Sequence, residues 1–326
     1  MPARTLVIEQ VNAAEDSMAA QYETTIDSVS FNDFVLKYPR GAYTGMRTVN
    51  RDAIVEFDSH VKRLCTSLSL MKFGGANNET ESPKATTLMA SFRNIEKLKQ
   101  KLVPMLAKGL KTFHDEIDPT SSSDHPWETK VSVMIAYSAE KEVPCFAAHF
   151  SALAAPISHR VKVEVEHKSR SMPVVKDSQW VRDRAPLEQG KLKDVNEVLL
   201  IDDAGRVYEG MSSNFFAVRV KEDGSPVLVT APLEHVLLGT VMKIVMAVCE
   251  QHRIPIEWTF PCIQDARAGK WEGCFLTSTS RLLLPIETIY AKDGSAAIEF
   301  PHVSDTVEML RQQVRKEISS RAYKIL

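Results

Sequence analysis

The stretch from Glu197 to Val220 constrains the fold most, because it contains three strand-like runs separated by short polar turns. The run E-V-L-L-I leads through D-D-A-G into R-V-Y-E-G, and N-F-F-A-V-R-V follows after M-S-S. Runs of branched and aromatic residues bounded by Asp, Gly and Ser are typical of antiparallel hairpins. The sequence therefore predicts a small antiparallel meander in the second half of the chain.

Strand-like and helix-like segments are mixed elsewhere in the chain without a regular alternation of strand and helix. Val131–Tyr137 and Pro144–Phe150 are expected to pair as strands, and a further strand begins at Val161. Apolar residues at helical spacing predict helices at four places: Val61 to Leu68, Leu88 to Leu102 with Pro104 interrupting it, Val241 to Val248, and Val307 to Ile318. This order favours an α+β fold over a doubly wound parallel sheet.

A domain boundary is predicted where the character of the sequence changes. The segment Ser151–Ile157 is rich in small residues and contains a proline, and a strictly alternating strand pattern begins just after it. We therefore predict a first domain over residues 1–150, a linker over residues 151–157 and a second domain over residues 158–326.

Charge and cysteine usage exclude several classes of protein. The chain has 40 Lys and Arg against 42 Asp and Glu, so no overall basic field favours nucleic acid or an anionic membrane. No signal peptide is recognisable, and no run reaches the ~18 apolar residues of a membrane span. Five scattered cysteines form no C-x-x-C pair, which argues against a structural metal site and for a reducing, cytoplasmic compartment.

Several catalytic motifs are also missing from the sequence. It contains no G-x-G-x-x-G, no phosphate-binding G-x-x-x-x-G-K and no H-E-x-x-H. Gly210–Asn214 begins like the nucleophile elbow of a serine hydrolase but lacks the closing glycine. Nucleotide-binding, zinc-protease and serine-hydrolase functions therefore have no support.

Five separated segments together resemble one family. E-V-L-L-I-D-D-A-G-R-V-Y-E-G-M-S-S-N-F-F resembles the core signature of the class IV, or fold-type IV, pyridoxal phosphate enzymes. That family includes branched-chain aminotransferases, D-amino-acid transaminases and 4-amino-4-deoxychorismate lyases. Support comes from G-A-Y-T-G-M-R-T-V-N with F-D-S-H-V-K-R-L-C-T-S, from L-L-G-T, and from C-F-L-T-S-T-S-R-L-L-L-P-I. They occur in the family's order across roughly residues 40 to 290.

The resemblance implies a fold and a function. It implies a two-domain α+β protein with a smaller N-terminal α/β domain, a larger barrel-like C-terminal domain and pyridoxal 5'-phosphate between them. The implied reaction moves an amino group between an amino acid and a 2-keto acid through a lysine Schiff base. Family members are generally homodimers, so a homodimer with small-molecule substrates is expected, and neither nucleic acid nor a membrane is an expected partner.

The resemblance also assigns roles at the reactive end of the cofactor. Lys176 lies 33 residues before Glu209 and is the expected Schiff-base lysine, while Lys168, Lys191 and Lys193 fit the family spacing less well. Glu209 is expected to keep the pyridine nitrogen protonated. Asn214 is expected to support this region or the cofactor hydroxyl.

A doubly charged phosphate requires several donors, and the resemblance supplies them from three segments. Leu238, Gly239 and Thr240 are expected at a helix N-terminus, where free N–H groups favour an anion. Thr279 and Ser278 are expected to contribute the second half of the site. Arg63, within the family's H-x-x-R-L pattern, is expected to add a guanidinium.

Departures from the family pattern leave other functions open. Gln179 and Trp180 stand where an Asn and a Tyr or aliphatic residue are usual, Ser278 replaces a glycine, and Arg281 replaces a small or acidic residue. One alternative is a lyase of the same fold, which would turn over without a keto-acid acceptor. Another is a non-catalytic member acting as a binding module, which would carry no covalently bound cofactor.

Overall fold

A computed structural model describes residues 3–13, 20–74, 80–118, 128–153, 159–291 and 297–326. The chain forms two compact units. Unit 1 contains Met1–Ala155, Val175–Asp183 and Arg321–Leu326, and unit 2 contains Pro156–Val174 and Arg184–Ser320. The sequence predicted a smaller first domain and a larger second one. Because Val175–Asp183 and Arg321–Leu326 belong to unit 1, the two units are close in length.

The described helices agree in most places with the apolar spacing. They are α1 (Phe31–Leu36), α2 (Phe57–Leu70), α3 (Pro83–Met89), α4 (Ile95–Glu116), α5 (Gln179–Asp183), α6 (Ala185–Gln189), α7 (Thr240–Gln251), α8 (Ile263–Arg267) and α9 (Asp305–Ser320). No helix among the described residues is long and apolar enough to cross a membrane.

The strands of unit 1 are β1 (Thr5–Val11), β2 (Gln21–Asp27), β3 (Gly41–Val49), β4 (Ala53–Val55), β5 (Glu128–Ser138), β6 (Val143–Leu153) and β16 (Ala322–Lys324). They form one sheet in the order β16-β4-β3-β5-β6-β1-β2. β5 and β6 pair antiparallel over their whole length, which confirms the predicted strand pair. Helix α2 packs against β3, and α4 packs against β1 and β6.

The predicted linker differs in part from the structure. Ser151 to Leu153 are the end of β6, paired with β5, because this short apolar stretch continues the ladder. Residues 154–157 of the predicted linker lie outside the described residues. The chain returns to unit 1 at Val175, where the backbone beside Lys176 pairs with the edge of β3.

The prediction of one continuous helix from Leu88 to Leu102 is wrong. A 3-10 turn over Ala90–Arg93 separates α3 from α4, and the Asn94 side chain caps α4 by accepting from the backbone N–H of Lys97 at 3.0 Å. A side-chain cap satisfies an otherwise free helical N–H, so the helix restarts there. Pro104 does not end α4, which continues through it to Glu116.

The strands of unit 2 are β7 (Val161–His167), β8 (Glu197–Ile201), β9 (Val207–Gly210), β10 (Asn214–Val220), β11 (Pro226–Thr230), β12 (Ile256–Trp258), β13 (Gly273–Ser278), β14 (Leu282–Ala291) and β15 (Ile298–Glu299). The sheet order is β12-β11-β10-β13-β14-β7-β8-β9, and β15 pairs with β14. Helix α7 packs against α9 and β13. An apolar cluster that includes Phe215, Trp271 and Leu284 forms the core.

The predicted meander holds only for its first hairpin. β8 and β9 pair antiparallel, whereas β10 pairs with β11 and β13 instead of continuing the ladder beside β9. Mutual backbone hydrogen bonds between Gly210 and Ser213 still join the end of β9 to the start of β10. The sheet therefore curves back on itself, which agrees with the predicted barrel-like α+β architecture.

Gly109, inside α4, gives a test of how tightly unit 1 is packed. A Cβ on Gly109 would lie 2.1 Å from Cζ of the fully buried Phe150. Gly→Ala inside a helix usually stabilises a protein by ~0.5–1 kcal/mol, but overpacking a core costs ~1–3 kcal/mol. We expect Gly109→Ala to lower the free energy of unfolding, measured by urea titration. In a Phe150→Leu background, Gly109→Ala should lower the free energy of unfolding by a smaller amount. An increase in the free energy of unfolding of Gly109→Ala would contradict the close contact with Phe150.

Candidate active site

A buried ion pair marks the first part of the site in unit 2. Glu209, near the end of β9, is 4% exposed, and Nη1 of Arg170 lies 3.0 Å from its Oε1. The backbone N–H of Leu237 donates to Oε2 of the same carboxylate at 3.2 Å. A carboxylate has about four acceptor positions, so Glu209 can accept from a cationic ring nitrogen in addition to these donors.

Asn214 connects this carboxylate to the start of α7. Its Nδ2 donates to the carbonyl of Leu237 at 2.7 Å, and Leu238 and Gly239 follow directly. A Cβ on Gly239 would lie 2.1 Å from Oδ1 of Asn214, so a side chain at this position would displace the Asn214 amide. Gly239 is the N-cap of α7 and provides no side-chain hydrogen bond to the first turn. The N-terminal N–H groups of α7 are therefore uncapped by a side chain at this position.

Two hydroxyl groups lie together at this helix start. Oγ1 of Thr240, the first residue of α7, is 3.1 Å from Oγ1 of Thr279, which follows β13. Hydroxyls and free N–H groups at a helix N-terminus are donors that suit a phosphate. Ser278 is adjacent, and its hydroxyl accepts from the backbone N–H of Arg281 at 3.3 Å.

Unit 1 places Arg63 on α2, facing β3. Nη2 of Arg63 donates to Oγ1 of Thr44 at 2.6 Å and lies 3.1 Å from Nδ1 of His60. Its Nε is buried and has no hydrogen-bond partner among the residues that the structure describes. Burial lowers the pKa of Arg63 to about 10, and the nearby Tyr43 opposes this shift, so the guanidinium stays charged at neutral pH.

Lys176 lies beside the same strand. Its carbonyl accepts from the N–H of Tyr43 at 3.0 Å, and its own N–H donates to Oγ of Ser67 at 3.1 Å. Nζ of Lys176 is 5.0 Å from the centre of the Tyr43 ring. The backbone of Lys176 is thus fixed on both sides, while its amine extends past an aromatic ring.

The structure divides the predicted residues into two groups. Unit 1 brings Arg63 and Lys176 to one region of β3. Unit 2 brings together the others: Glu209, Asn214, Leu238, Gly239, Thr240, Ser278 and Thr279. Among the described residues, no group of three or more His, Cys, Asp or Glu side chains is placed to hold a metal ion.

Two of the departures from the family pattern have local structural roles. Nε2 of Gln179 donates to Oδ1 of Asp183 along α5 at 2.9 Å, and Trp180 is 6% exposed. Arg40 binds the neighbouring Asp177, with Nη2 at 2.6 Å from Oδ2. The segment after Lys176 is therefore anchored within unit 1 through Asp177, while Gln179 makes a contact within α5 and Trp180 is buried.

Sequence reasoning missed Arg170. It lies in H-K-S-R-S-M-P, a polar run that is typical of a solvated loop, yet its side chain is only 6% exposed. Buried charges are stable when they are paired, but the partner is 39 residues away along the chain. A local pattern carries no signal for this pair.

Each unit by itself carries groups that suit pyridoxal 5'-phosphate. In unit 2, Glu209 offers a buried acceptor for a protonated ring nitrogen, and the hydroxyls at the start of α7 offer phosphate donors. In unit 1, Arg63 offers a buried cation and Lys176 a primary amine.

Comparison with known proteins agrees with the interpretation that these groups suit pyridoxal 5'-phosphate. The sequence profile of the family described as Amino-transferase class IV matches residues 41–289. No match was found among curated proteins.

Solved structures show the same fold over nearly the whole chain. A fold IV-transaminase from Curtobacterium pusillum has a TM-score of 0.66 at 16% identity, covering 97% of this chain and 99% of that one. A branched-chain aminotransferase from Thermoproteus uzoniensis with norvaline has a TM-score of 0.64 at 16% identity, covering 93% of this chain and 97% of that one. A hypothetical aminotransferase from Mycobacterium tuberculosis, in a PLP-bound form, has a TM-score of 0.64 at 14% identity, covering 97% and 99%.

The family profile covers most of the chain, including the segments on which the resemblance was based, and the fold agrees with it. The predicted family and fold class are thereby confirmed. The chain belongs to the class IV aminotransferases, which are pyridoxal-phosphate-dependent enzymes.

Proposed function

We propose that the protein transfers an amino group between an amino acid and a 2-keto acid, with Lys176 as its covalent attachment point for pyridoxal 5'-phosphate. The observation that carries the proposal is the buried Glu209 carboxylate, held by Arg170 and by the backbone N–H of Leu237. A buried, oriented carboxylate is the group that a protonated pyridine ring requires.

The proposal assigns proton transfer to Lys176 and stabilisation of the ring's charge to Glu209. Bound pyridoxal 5'-phosphate supplies an aldehyde that takes up the amino group and a ring that draws electrons from the substrate α-carbon. The Lys176 amine, once displaced by substrate, accepts the proton from that α-carbon and returns a proton during product formation. Glu209 would hold the ring nitrogen, and Arg170 keeps the carboxylate oriented.

Phosphate binding is assigned to the start of α7 and to Arg63. Thr240 and Thr279 supply hydroxyl donors, the backbone at Leu238 and Gly239 shapes the helix start, and Arg63 supplies positive charge. Asn214 supports this helix start through the carbonyl of Leu237. Ser278 is assigned to the rim of the phosphate region.

The assembly and compartment are part of the same proposal. We infer a homodimer from the family, and a cytoplasmic location because all five cysteines are free thiols. Sedimentation of the purified protein tests the first inference, and a monomer at micromolar concentration would contradict it.

The direct test is a spectroscopic half-reaction with the purified full chain. Wild type loaded with pyridoxal 5'-phosphate should show a violet absorbance band that amino donors, including branched-chain amino acids, convert to the pyridoxamine form. A 2-keto acid should restore the band. Turnover that needs no keto acid would replace transamination by a lyase activity, and failure to bind the cofactor would leave a binding module.

Thr240 tests the assignment of the phosphate site. Thr240→Val keeps the shape of the side chain but removes one hydroxyl donor, and a hydrogen bond to a charged group is worth ~1.5–3 kcal/mol. We expect the affinity for pyridoxal 5'-phosphate, measured by absorbance titration, to fall by about 10- to 100-fold.

Thr230→Val is the matched control for this change. The Thr230 hydroxyl is also buried in unit 2, where it donates to the carbonyl of Phe215 at 2.8 Å. Its loss should lower stability and leave cofactor affinity unchanged. Equal affinities for wild type and Thr240→Val would refute the assignment.

A further inference from the structure

Arg281, in the turn between β13 and β14, binds inward instead of extending into solvent. Its Nη2 forms an ion pair with Oε2 of Glu197 and donates to Oγ of Ser212 at 3.0 Å. Its backbone N–H and its Nε donate to Oγ of Ser278 at 3.3 and 3.4 Å. The two residues that depart from the family pattern at this turn, Ser278 and Arg281, thus bind each other.

Glu197, the first residue of β8, is the acceptor at the centre of these contacts and is 1% exposed. Besides Arg281, its Oε2 accepts from Oγ of Ser212 at 2.7 Å and from Oγ of Ser213 at 3.2 Å. Burial alone would raise the pKa of Glu197, but Arg281 and Ser212 together hold it below its ordinary value. The carboxylate is therefore ionised, and Arg281 neutralises it.

This network, formed by Glu197, Ser212, Ser213 and Arg281, joins the two turns that carry the proposed cofactor contacts. One turn follows Glu209 and Gly210. The other contains Thr279, and the pairing of Asn214 with Thr277 brings both turns to the same end of β10 and β13. The turns are tightly packed, since a Cβ on Gly210 would lie 2.2 Å from Oγ of Ser213.

We propose that Arg281 is a positioning residue for the cofactor phosphate, because its ion pair with Glu197 fixes the turn that places the Thr279 hydroxyl beside Thr240. This inference rests on the proposed function. Arg281 is the charged residue through which this turn contacts Glu197, so the position of the turn depends on it. Glu209 is held separately by Arg170 and Leu237.

Arg281 supports the phosphate region, and Arg170 with Leu237 supports the ring region. A variant of Arg281 should therefore weaken phosphate binding alone, whereas a general loss of structure would weaken both. Pyridoxal 5'-phosphate uses both the ring and the phosphate regions, whereas pyridoxal without phosphate uses only the ring region. We expect Arg281→Met to weaken binding of pyridoxal 5'-phosphate by about 10-fold or more, the scale seen when an outer partner of a ligand is removed. Binding of pyridoxal should stay close to the wild-type affinity, because Arg170 and Leu237 still hold Glu209. Both affinities are measured by titration of the full chain without cofactor.

A double variant controls for the buried carboxylate that Arg281→Met leaves unpaired. Glu197→Gln combined with Arg281→Met removes both charges, so the thermal midpoint should recover toward wild type. The positioning role predicts that the affinity for pyridoxal 5'-phosphate stays weak in this double variant. Recovery of that affinity would show that the single variant failed only through the unpaired charge, and would overturn the inference.

The other outcomes distinguish a failure of the Arg281 inference from a failure of the proposed function. If wild type binds pyridoxal 5'-phosphate and Arg281→Met binds it equally well, or loses affinity for both ligands equally, Arg281 has no phosphate-specific role. If wild type itself does not bind the cofactor, the proposed function fails and the inference fails with it.

Discussion

Replacing Lys176 with alanine should abolish the violet absorbance band and reduce the transamination half-reaction by about 10²- to 10⁴-fold or more, the range for loss of a positioned acid–base group. The protein should still fold. The contacts of Lys176 with Tyr43 on β3 and with Ser67 on α2 use backbone atoms that alanine retains. After borohydride treatment, peptide mass analysis should find the reduced cofactor on Lys176 of wild type only.

Three control variants make this prediction specific. Lys176→Arg keeps a positive charge beside Tyr43 but has no primary amine for the cofactor, so it should fail as fully as alanine. Lys168→Ala and Lys193→Ala, at two of the lysines that fit the family spacing less well, should keep the band and the rate. A reducible band that persists in Lys176→Ala and disappears in one of these two would move the catalytic amine to that lysine.

Local sequence signals predicted the parts of the fold that depend on neighbouring residues. The β8–β9 hairpin and helix α7 follow from spacing within a few residues, and the structure contains both. The paths of β10 and of the Leu88 to Leu102 segment were predicted wrongly. β10 is buried through most of its length between β11 and β13, and such pairing is set by the whole sheet.

The site shows the same division between local and distant information. Thr240 and Thr279 were proposed from family segments 39 residues apart, and the structure places their hydroxyls side by side. Arg170 with Glu209, and Arg281 with Glu197, are partners 39 and 84 residues apart. No local pattern links the partners of either pair, so only the folded chain shows that Arg170 and Arg281 bind buried carboxylates.

Glu209→Gln should have the second-largest effect, because it removes the negative charge that keeps the ring nitrogen protonated. The introduced amide is isosteric and donates to an unprotonated nitrogen, so the ring no longer draws electrons effectively. We expect the rate of the half-reaction to fall by about 10²- to 10³-fold, the scale for losing one preorganised electrostatic group. Stopped-flow absorbance on the loaded protein measures it.

The same change leaves Arg170 buried without its ion-pair partner, so a loss of stability must be separated from a loss of chemistry. Breaking a buried pair costs ~3–5 kcal/mol, whereas an exposed pair contributes ~1 kcal/mol or less. Glu257→Gln, which breaks the more exposed pair with Arg219, is the matched carboxylate control and should keep its rate.

Adding Arg170→Met to Glu209→Gln removes the buried cation that has lost its carboxylate partner and should restore much of the thermal stability. The half-reaction should stay slow in that double variant, since the ring nitrogen still lacks its carboxylate. If the double variant instead regained the wild-type rate, Glu209 would stabilise the fold through Arg170 and would not keep the ring nitrogen protonated. The buried pair of Arg170 and Glu209 would then no longer be evidence for transamination.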